Sequence, residues 1–289
     1  VAASNSIKDI ASLCQFAHIF GVRVYVTFNT ILYDNELKEA EKTIWDLYEA
    51  GVDALIVQDM ALLEMNLPPI ALHASTQMNN RSVEKVRLLE ACGFSQIVLA
   101  RELPLSEIRQ ISEAVETPLE AFIHGALCVS YSGECYASQH CFNRSANRGE
   151  CAQFCRMSFD LLNADGTVLA KNKHLLSLRD MNRTTSVEDM MLAGISSFKI
   201  EGRLKEVDYV KNVTAHYRRI IDEIIAKHPG QFKRSSYGTS SITFEPNVCK
   251  SFNRKFTNYF IDGNRTKGLQ NIESPKSMGE KIGTIVGEN

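Results

Sequence analysis

Five of the chain's eight cysteines, Cys128, Cys135, Cys141, Cys151 and Cys155, fall within 28 residues in the spacing C-x6-C-x5-C-x9-C-x3-C. The thiolate is a soft ligand, and four thiolates are the usual complement for zinc or for an iron–sulfur cluster. Zinc ligands usually pair at two to four intervening residues, so a gap of six is wide for zinc. Enzymes that make radicals from S-adenosylmethionine space three cysteines as C-x3-C-x2-C. Here Arg156, Met157 and Ser158 follow Cys155, which removes that reading. Spacing therefore favours an iron–sulfur cluster, with zinc and a metal-free segment as alternatives and Cys141 as the bystander. Cys151 and Cys155 are four apart, which would put both on one face of a helical turn. Cys14, Cys92 and Cys249 stand singly in apolar stretches and read as small buried hydrophobes.

A second set of chemistry-bearing residues sits at the ends of strand-like runs. IALHASTQ (70–77) ends in His73, Ser75 and Gln77, QIVLARE (96–102) in Arg101 and Glu102, PLEAFIHG (118–125) in His124, and SSFKIEGR (196–203) in Lys199, Glu201 and Arg203. Residues two apart share a face of a strand, so each set points one way. We take His73, Gln77, His124 and Glu201 as candidate catalytic groups. Arg101, Lys199, Arg203 and Arg254 are candidate binders of a carboxylate or phosphate, which arginine grips with two hydrogen bonds and lysine with a point charge. Glu201 is a proton carrier or an ion-pair partner of Lys199 or Arg203. Cys128 and His124 could be written as a nucleophile and its base, although they lie four apart across a strand end. No HExxH helix or GxSxG elbow is present.

The elements that must position these residues alternate. Strand-like VRVYVTFN (22–29), DALIVQD (53–59), HLLSLRD (174–180) and the four runs above are interleaved with helical segments at about 36–50, 81–92, after Pro104, 186–193 and 206–227. This pattern predicts an α/β fold with a parallel sheet. Polar residues at the strand ends, with no glycine-rich phosphate fingerprint after any strand, favour a TIM-like (β/α) barrel over a doubly wound sheet. The barrel would span residues 1–230, with the cysteine-rich segment 126–160 inserted. Residues 231–289, rich in Ser, Gly, Thr and aromatics, would begin a small β-rich C-terminal module.

Composition bounds the partners. With 32 basic and 34 acidic side chains the net charge is −2, which excludes a generally polycationic nucleic-acid coat. The charge is unevenly spread: residues 199–289 carry 16 Lys/Arg against 10 Asp/Glu, leaving −8 on residues 1–198. A local polyanion surface therefore remains open. No apolar run approaches the roughly 18 residues of a membrane span, and the chain reads as cytoplasmic and trimmed at its start.

The run EAFIHGALCVSYSGECYAS (120–138) resembles the signature of peptidase family U32, the collagenase-like peptidases. The family pattern of Glu, Phe, Gly, Ala, an aliphatic residue and Cys, then Gly, Cys and Ser, is met by Glu120, Phe122, Gly125, Ala126, Leu127, Cys128, Gly133, Cys135 and Ser138. NRSANRGECAQFCR (143–156), HASTQMN (73–79), KIEGR (199–203) and FNRKFT (252–257) also resemble family segments, so the resemblance covers nearly the whole chain. It implies one of two activities. Some members were named proteases acting on peptide or collagen, while others are implicated in hydroxylating pyrimidines of tRNA or large-subunit rRNA, or ubiquinone. In the hydroxylating members four cysteines hold a [4Fe–4S] cluster, and the RNA-modifying ones are linked to prephenate as a co-substrate. Carried over by position, the ligands are Cys128, Cys135, Cys151 and Cys155. The expected partner is RNA, met by the basic C-terminal portion with Phe252, Arg254, Phe256, Tyr259 and Phe260. Family barrels begin with two strands preceding the one that matches VRVYVTFN. Their absence here implies a fragment, or a fold completed by a partner subunit.

Overall fold

A computed structural model describes residues 5–266 and 268–280, together with 283, 284 and 287. The chain opens with α1 (Ile7–His18), capped by Ser6, whose hydroxyl and backbone exchange hydrogen bonds with Asp9. Then β1 (Tyr25–Phe28) leads to α2 (Leu37–Glu49), which buries Ala40, Ile44 and Leu47 at helical spacing. Next come β2 (Ala54–Val57), β3 (Ala71–Ala74), α3 (Val83–Ala91), β4 (Gln96–Val98), α4 (Leu105–Ser112) and β5 (Leu119–Gly125). The cysteine segment contains the short α5 (Ala137–Phe142) and is followed by the hairpin of β6 (Phe159–Leu162) and β7 (Val168–Lys173). The chain returns through β8 (Asp180–Asn182), α6 (Val187–Leu192), β9 (Ile195–Ile200) and the long α7 (Val207–Lys227), and adds the two-residue β10 (Phe256–Thr257).

The sheet is mostly parallel. Strands β1 to β5 pair in sequence order, and β9 adds in parallel to the free edge of β5. Near the end of β5, β8 pairs antiparallel with His124 and Gly125, and β10 runs parallel to β8. The expected barrel is not closed: among the described residues β1 and β9 stand at opposite edges and do not pair. The expected strand at 174–180 shrinks to Asp180–Asn182, because the chain turns at Leu175 and Ser177, whose N–H groups bond to the carbonyls of Lys173 and His174. Two elements went unread in the sequence although their signals were there: the Ser6/Asp9 cap of α1, and the Asp165-Gly166 turn between β6 and β7.

Two apolar layers flank the sheet. The larger lies under the helices and includes Leu55, Val57, Ile97, Leu119, Ala121 and Ile123 from the strands. The smaller, on the other face, joins Val98 and Phe122 to Leu127, Leu178, Met181, Tyr259 and Leu269. This inner face carries the polar residues of the candidate site.

Candidate functional site

The inner face is built in layers, as strands of side-chain period two require. In the lower layer the buried Glu120 of β5 accepts hydrogen bonds from Gln96 of β4 (2.8 Å) and Ser197 of β9 (2.7 Å), and pairs with Lys199 (3.0 Å). His73 of β3 belongs to this layer. It is 5% exposed, packs edge-on against Tyr25, and leaves its Nδ1 without a partner. Burial pushes its pKa down to about 4, against the opposing pull of Glu120. Above lies Phe122, with the Arg101 guanidinium 3.8 Å and the Lys199 ammonium 5.6 Å from its ring centre. The upper layer is the mouth. Here Arg101 pairs with Glu201 at 3.3 Å, so the ion-pair partner of Glu201 is Arg101 and not Lys199 or Arg203. Glu201 also accepts from the Arg203 backbone N–H, and its carbonyl accepts from the Tyr209 hydroxyl (3.1 Å). On the far side of the mouth Asn29 donates to the Gln77 side chain.

His124 is not in the mouth. Between Phe122 and His124 two residues of β5 oppose one of β9, a bulge that turns His124 out of the inner row and toward α7. Its Nδ1 lies 3.2 Å from the Tyr217 hydroxyl, and its ring packs beside Tyr209, Tyr217 and Phe256. Burial, with a smaller effect of His216, holds its pKa down at about 4. Both buried histidines are thus neutral in the fold and protonate once unfolded. The unfolded chain then binds more protons below its ordinary histidine pKa, so stability falls with falling pH. Each histidine should cost about 2 kcal/mol by pH 5 and about 3 kcal/mol below pH 4. Thermal melts at pH 7 and pH 5 measure this, and His73→Asn should flatten the difference by one histidine's share. An unchanged difference in that variant would show that His73 is not held neutral.

The cysteines crown the mouth on loops clasped to the strands. Cys128 follows β5, which can end against β9 only because residue 125 is glycine: its φ is +109°, and a Cβ there would lie 2.6 Å from the Glu201 carbonyl oxygen. Gly133 likewise brings the Cys135 loop down onto the turn after β3, where a Cβ would meet the Gln77 carbonyl oxygen at 1.8 Å. The same loop is held by buried Glu102, which accepts from the Ser132 N–H (2.5 Å) and hydroxyl (3.1 Å), and by Asn147, which donates to the Gly133 carbonyl. Next to Asn147, Arg148 grips Glu36 at 2.6 and 2.9 Å and anchors the segment to the loop after β1. Buried Ser138 accepts from the Ala152 N–H beside Cys151. Arg156, next to Cys155, donates to the Leu127 carbonyl next to Cys128, and to Ser177 and Leu178. Cys151 and Cys155 do not share a helical turn, because Gln153 between them adopts a left-handed conformation (φ +55°) before a short 3-10 turn at Phe154–Arg156.

Four sulfurs emerge as electrostatic neighbours. Burial pushes the Cys128 thiol up, with Cys135 and Cys155 adding to the rise and Arg101 opposing it. Burial likewise raises Cys155, with Cys151 and Cys135 adding and Arg156 opposing. Cys141 is exposed on α5, and of the three lone cysteines expected in the core Cys14 is buried, Cys92 is half-buried and Cys249 is exposed. Among the described residues no three His, Cys, Asp or Glu side chains converge tightly enough to chelate a single metal ion.

The basic candidates divide. Arg254 is mostly buried, paired with Asp180 at 3.0 Å and donating to the Pro275 carbonyl, while Arg203 is exposed. Of the aromatics expected to stack bases, Tyr259 is buried and stacked on Phe260, and Phe256 packs against His124. Phe252 lies under the Lys205 ammonium, 3.2 Å from the ring centre, with Arg254 at 4.8 Å. Sequence reasoning missed Lys205, and also Arg183. Arg183 is 1% exposed and donates only to carbonyls, those of Phe122, Arg101 and Asn258, and burial lowers its pKa to about 10. Its partners are all backbone, so no side-chain pattern could have revealed it.

This is an α/β protein whose parallel strands end in a polar mouth roofed by a cysteine-bearing loop. The chain belongs to peptidase family U32, whose family model matches residues 1–271. It is 51% identical over 98% of its length to the 23S rRNA 5-hydroxycytidine C2501 synthase of Escherichia coli (strain K12), covering 43% of that protein. It is 35% identical to tRNA hydroxylation protein P1 of Bacillus subtilis (strain 168), over 78% of this chain and 56% of that one. It is also 31% identical to a collagenase of Porphyromonas gingivalis (strain ATCC BAA-308 / W83), over 89% of this chain and 64% of that one. The chain therefore spans about half the length of these relatives. No described helix is long and apolar enough to cross a membrane.

Proposed function

We propose that the chain is the cluster-bearing part of an enzyme that hydroxylates a pyrimidine in RNA, with large-subunit rRNA as the favoured substrate. The observation that carries this reading is the 51% identity to an rRNA 5-hydroxycytidine synthase, which extends across 98% of the chain. The sheet is read as an arc of a (β/α) barrel, a reading supported by parallel strands paired in sequence order and by layered inward side chains. An enzyme of this kind would work in the cytoplasm, where its RNA is.

Cys128, Cys135, Cys151 and Cys155 would hold a [4Fe–4S] cluster. A cubic cluster takes one thiolate per iron at separate corners, so its ligands stand apart in a way that a single ion does not allow. The hydrogen bonds from Arg156 to the Leu127 carbonyl and from the Ala152 N–H to Ser138 hold the chain at Cys155 beside that at Cys128, and the chain at Cys151 beside the helix after Cys135, which suits that arrangement. When bound, the cluster would supply one-electron chemistry. The chain's own groups would do the rest. The carboxamides of Asn29 and Gln77 would meet the hydrogen-bonding edge of a pyrimidine, and Glu201, oriented by Arg101, would hold or pass a proton at the mouth. The Arg101 guanidinium, paired with Glu201 at the mouth, would meet an anion such as a carboxylate of prephenate, the co-substrate the family resemblance implies.

The peptidase reading finds less support in the geometry. Among the described residues no cysteine lies within hydrogen-bond reach of a histidine, and Cys128 is held toward the thiol form instead of the nucleophilic thiolate. The test is genetic and chemical: deletion of the gene should abolish a hydroxylated pyrimidine from the cell's RNA, read by nucleoside mass spectrometry, and the full-length gene should restore it. RNA with an unchanged nucleoside profile after deletion would reject this reading.

A further inference from the structure

A broad groove lies beside the mouth. It has a volume of about 1280 Å³, floored by the first turns of α7 and walled by residues 240–252. It begins at Lys205, and Tyr209 on its floor donates to the Glu201 carbonyl, which ties the groove to the mouth. Lys211 and Lys250 lie further along it, both exposed. None of these three lysines has an acidic partner among the described residues. The groove's acidic groups are accounted for differently. Glu206 and Asp208 sit at the start of α7, where negative charge complements the helix dipole, and Glu245 is paired with Arg219 at 2.8 Å. Two aromatic faces accompany the cations: Phe252 under Lys205, and Phe244, which is 43% exposed. Seryl and threonyl hydroxyls from Ser240, Ser241 and Thr243 complete the wall.

Unpaired lysines spaced along a groove, with exposed rings and hydroxyls between them, form the pattern that tracks a single-stranded nucleic acid: phosphates meet the cations and bases stack on the rings. We propose that this groove guides the single strand of RNA flanking the target nucleotide, with Lys205, Lys211 and Lys250 on phosphates and Phe244 under a base. The proposal rests on the RNA reading above and adds to it the path of the strand. It moves the RNA contact from the aromatic run at 256–260, which is largely packed away, to a surface on α7 that sequence alone did not mark.

The test uses full-length protein and a fluorescein-labelled single-stranded RNA of about 12 nucleotides, matched to the span such grooves cover. Anisotropy titrations between about 50 and 200 mM salt give both affinity and its salt slope. Lys211→Glu combined with Lys250→Glu should weaken binding about tenfold at the lower salt and reduce the slope by about 1.4, the share of two single-strand phosphate contacts. Phe244→Ala should weaken binding roughly fivefold or more while leaving the slope unchanged. Melting temperatures should stay at the wild-type value, since all three side chains are at the surface. Variants that bind with wild-type affinity and slope would overturn the groove and leave the RNA reading standing. Wild-type protein that binds no RNA at any salt would remove both.

Discussion

Replacing Cys155 with serine in the full-length protein, purified without air, will remove most of the iron and the brown colour of a [4Fe–4S] protein, and RNA hydroxylation with them. The expected loss exceeds tenfold in both readouts, because in the proposed ligand set each of the four thiolates would hold a different corner of the cluster, and a serine hydroxyl remains protonated where a thiol yields its proton. Cys128→Ser and Cys135→Ser should behave alike. Cys141→Ser is the control, since Cys141 is exposed on α5 and lies outside the proposed ligand set. Iron analysis and visible absorbance decide the matter. Colourless wild-type protein carrying one zinc per chain would refute the assignment, and loss of iron from Cys141→Ser would show that the ligand set is misassigned.

Gly133→Ala carries the second large effect. At φ +80° any side chain is strained, which costs about 1 kcal/mol, and the added methyl would lie 1.8 Å from the Gln77 carbonyl oxygen, a clash that backbone on both sides must resolve. Two outcomes are open to the molecule. If the contact holds, stability falls by about 3 kcal/mol, a drop of roughly 6–12 °C in Tm for a domain of this size. If the loop lifts instead, the fold survives and Cys135 leaves the cluster, so that iron is lost from protein that still melts normally. Gly166→Ala separates strain from clash, because Gly166 has φ +87° and nothing within 4 Å of an added Cβ. That variant should lose only about 1 kcal/mol and no iron. Gly133→Ala protein with wild-type Tm and wild-type iron would show that the loop does not rest on Gln77.

Much of this was legible in the sequence, for reasons that can be stated residue by residue. The strand and helix alternation from Tyr25 to Leu119 was readable because buried strands such as Ala54–Val57 are continuously apolar and helices such as α2 repeat their buried residues every three or four positions. The rule of two placed Lys199 beneath Glu201 and His73 in its inward row. It failed at His124, because a bulge shifts the phase of a strand without leaving a mark in composition. The helical turn expected at Cys151–Cys155 failed on the left-handed Gln153, a conformation unusual for that residue. Pairings were the least legible. Arg101 with Glu201 and Arg254 with Asp180 join residues far apart in the chain, and only the folded sheet selects them from many equivalent charges.

The layered interior has one consequence for how such an enzyme would respond to its surroundings. Arg183 beneath the mouth keeps its proton up to a pKa of about 10, while His73 and His124 surrender theirs above about 4. Between about pH 6 and pH 8 none of these three changes charge, so the field they set across the mouth is constant over the range a cell explores. Any titration seen in a rate near neutrality would then come from groups other than these three. The protein has in effect removed these two buried histidines and this arginine from the neutral part of the pH profile.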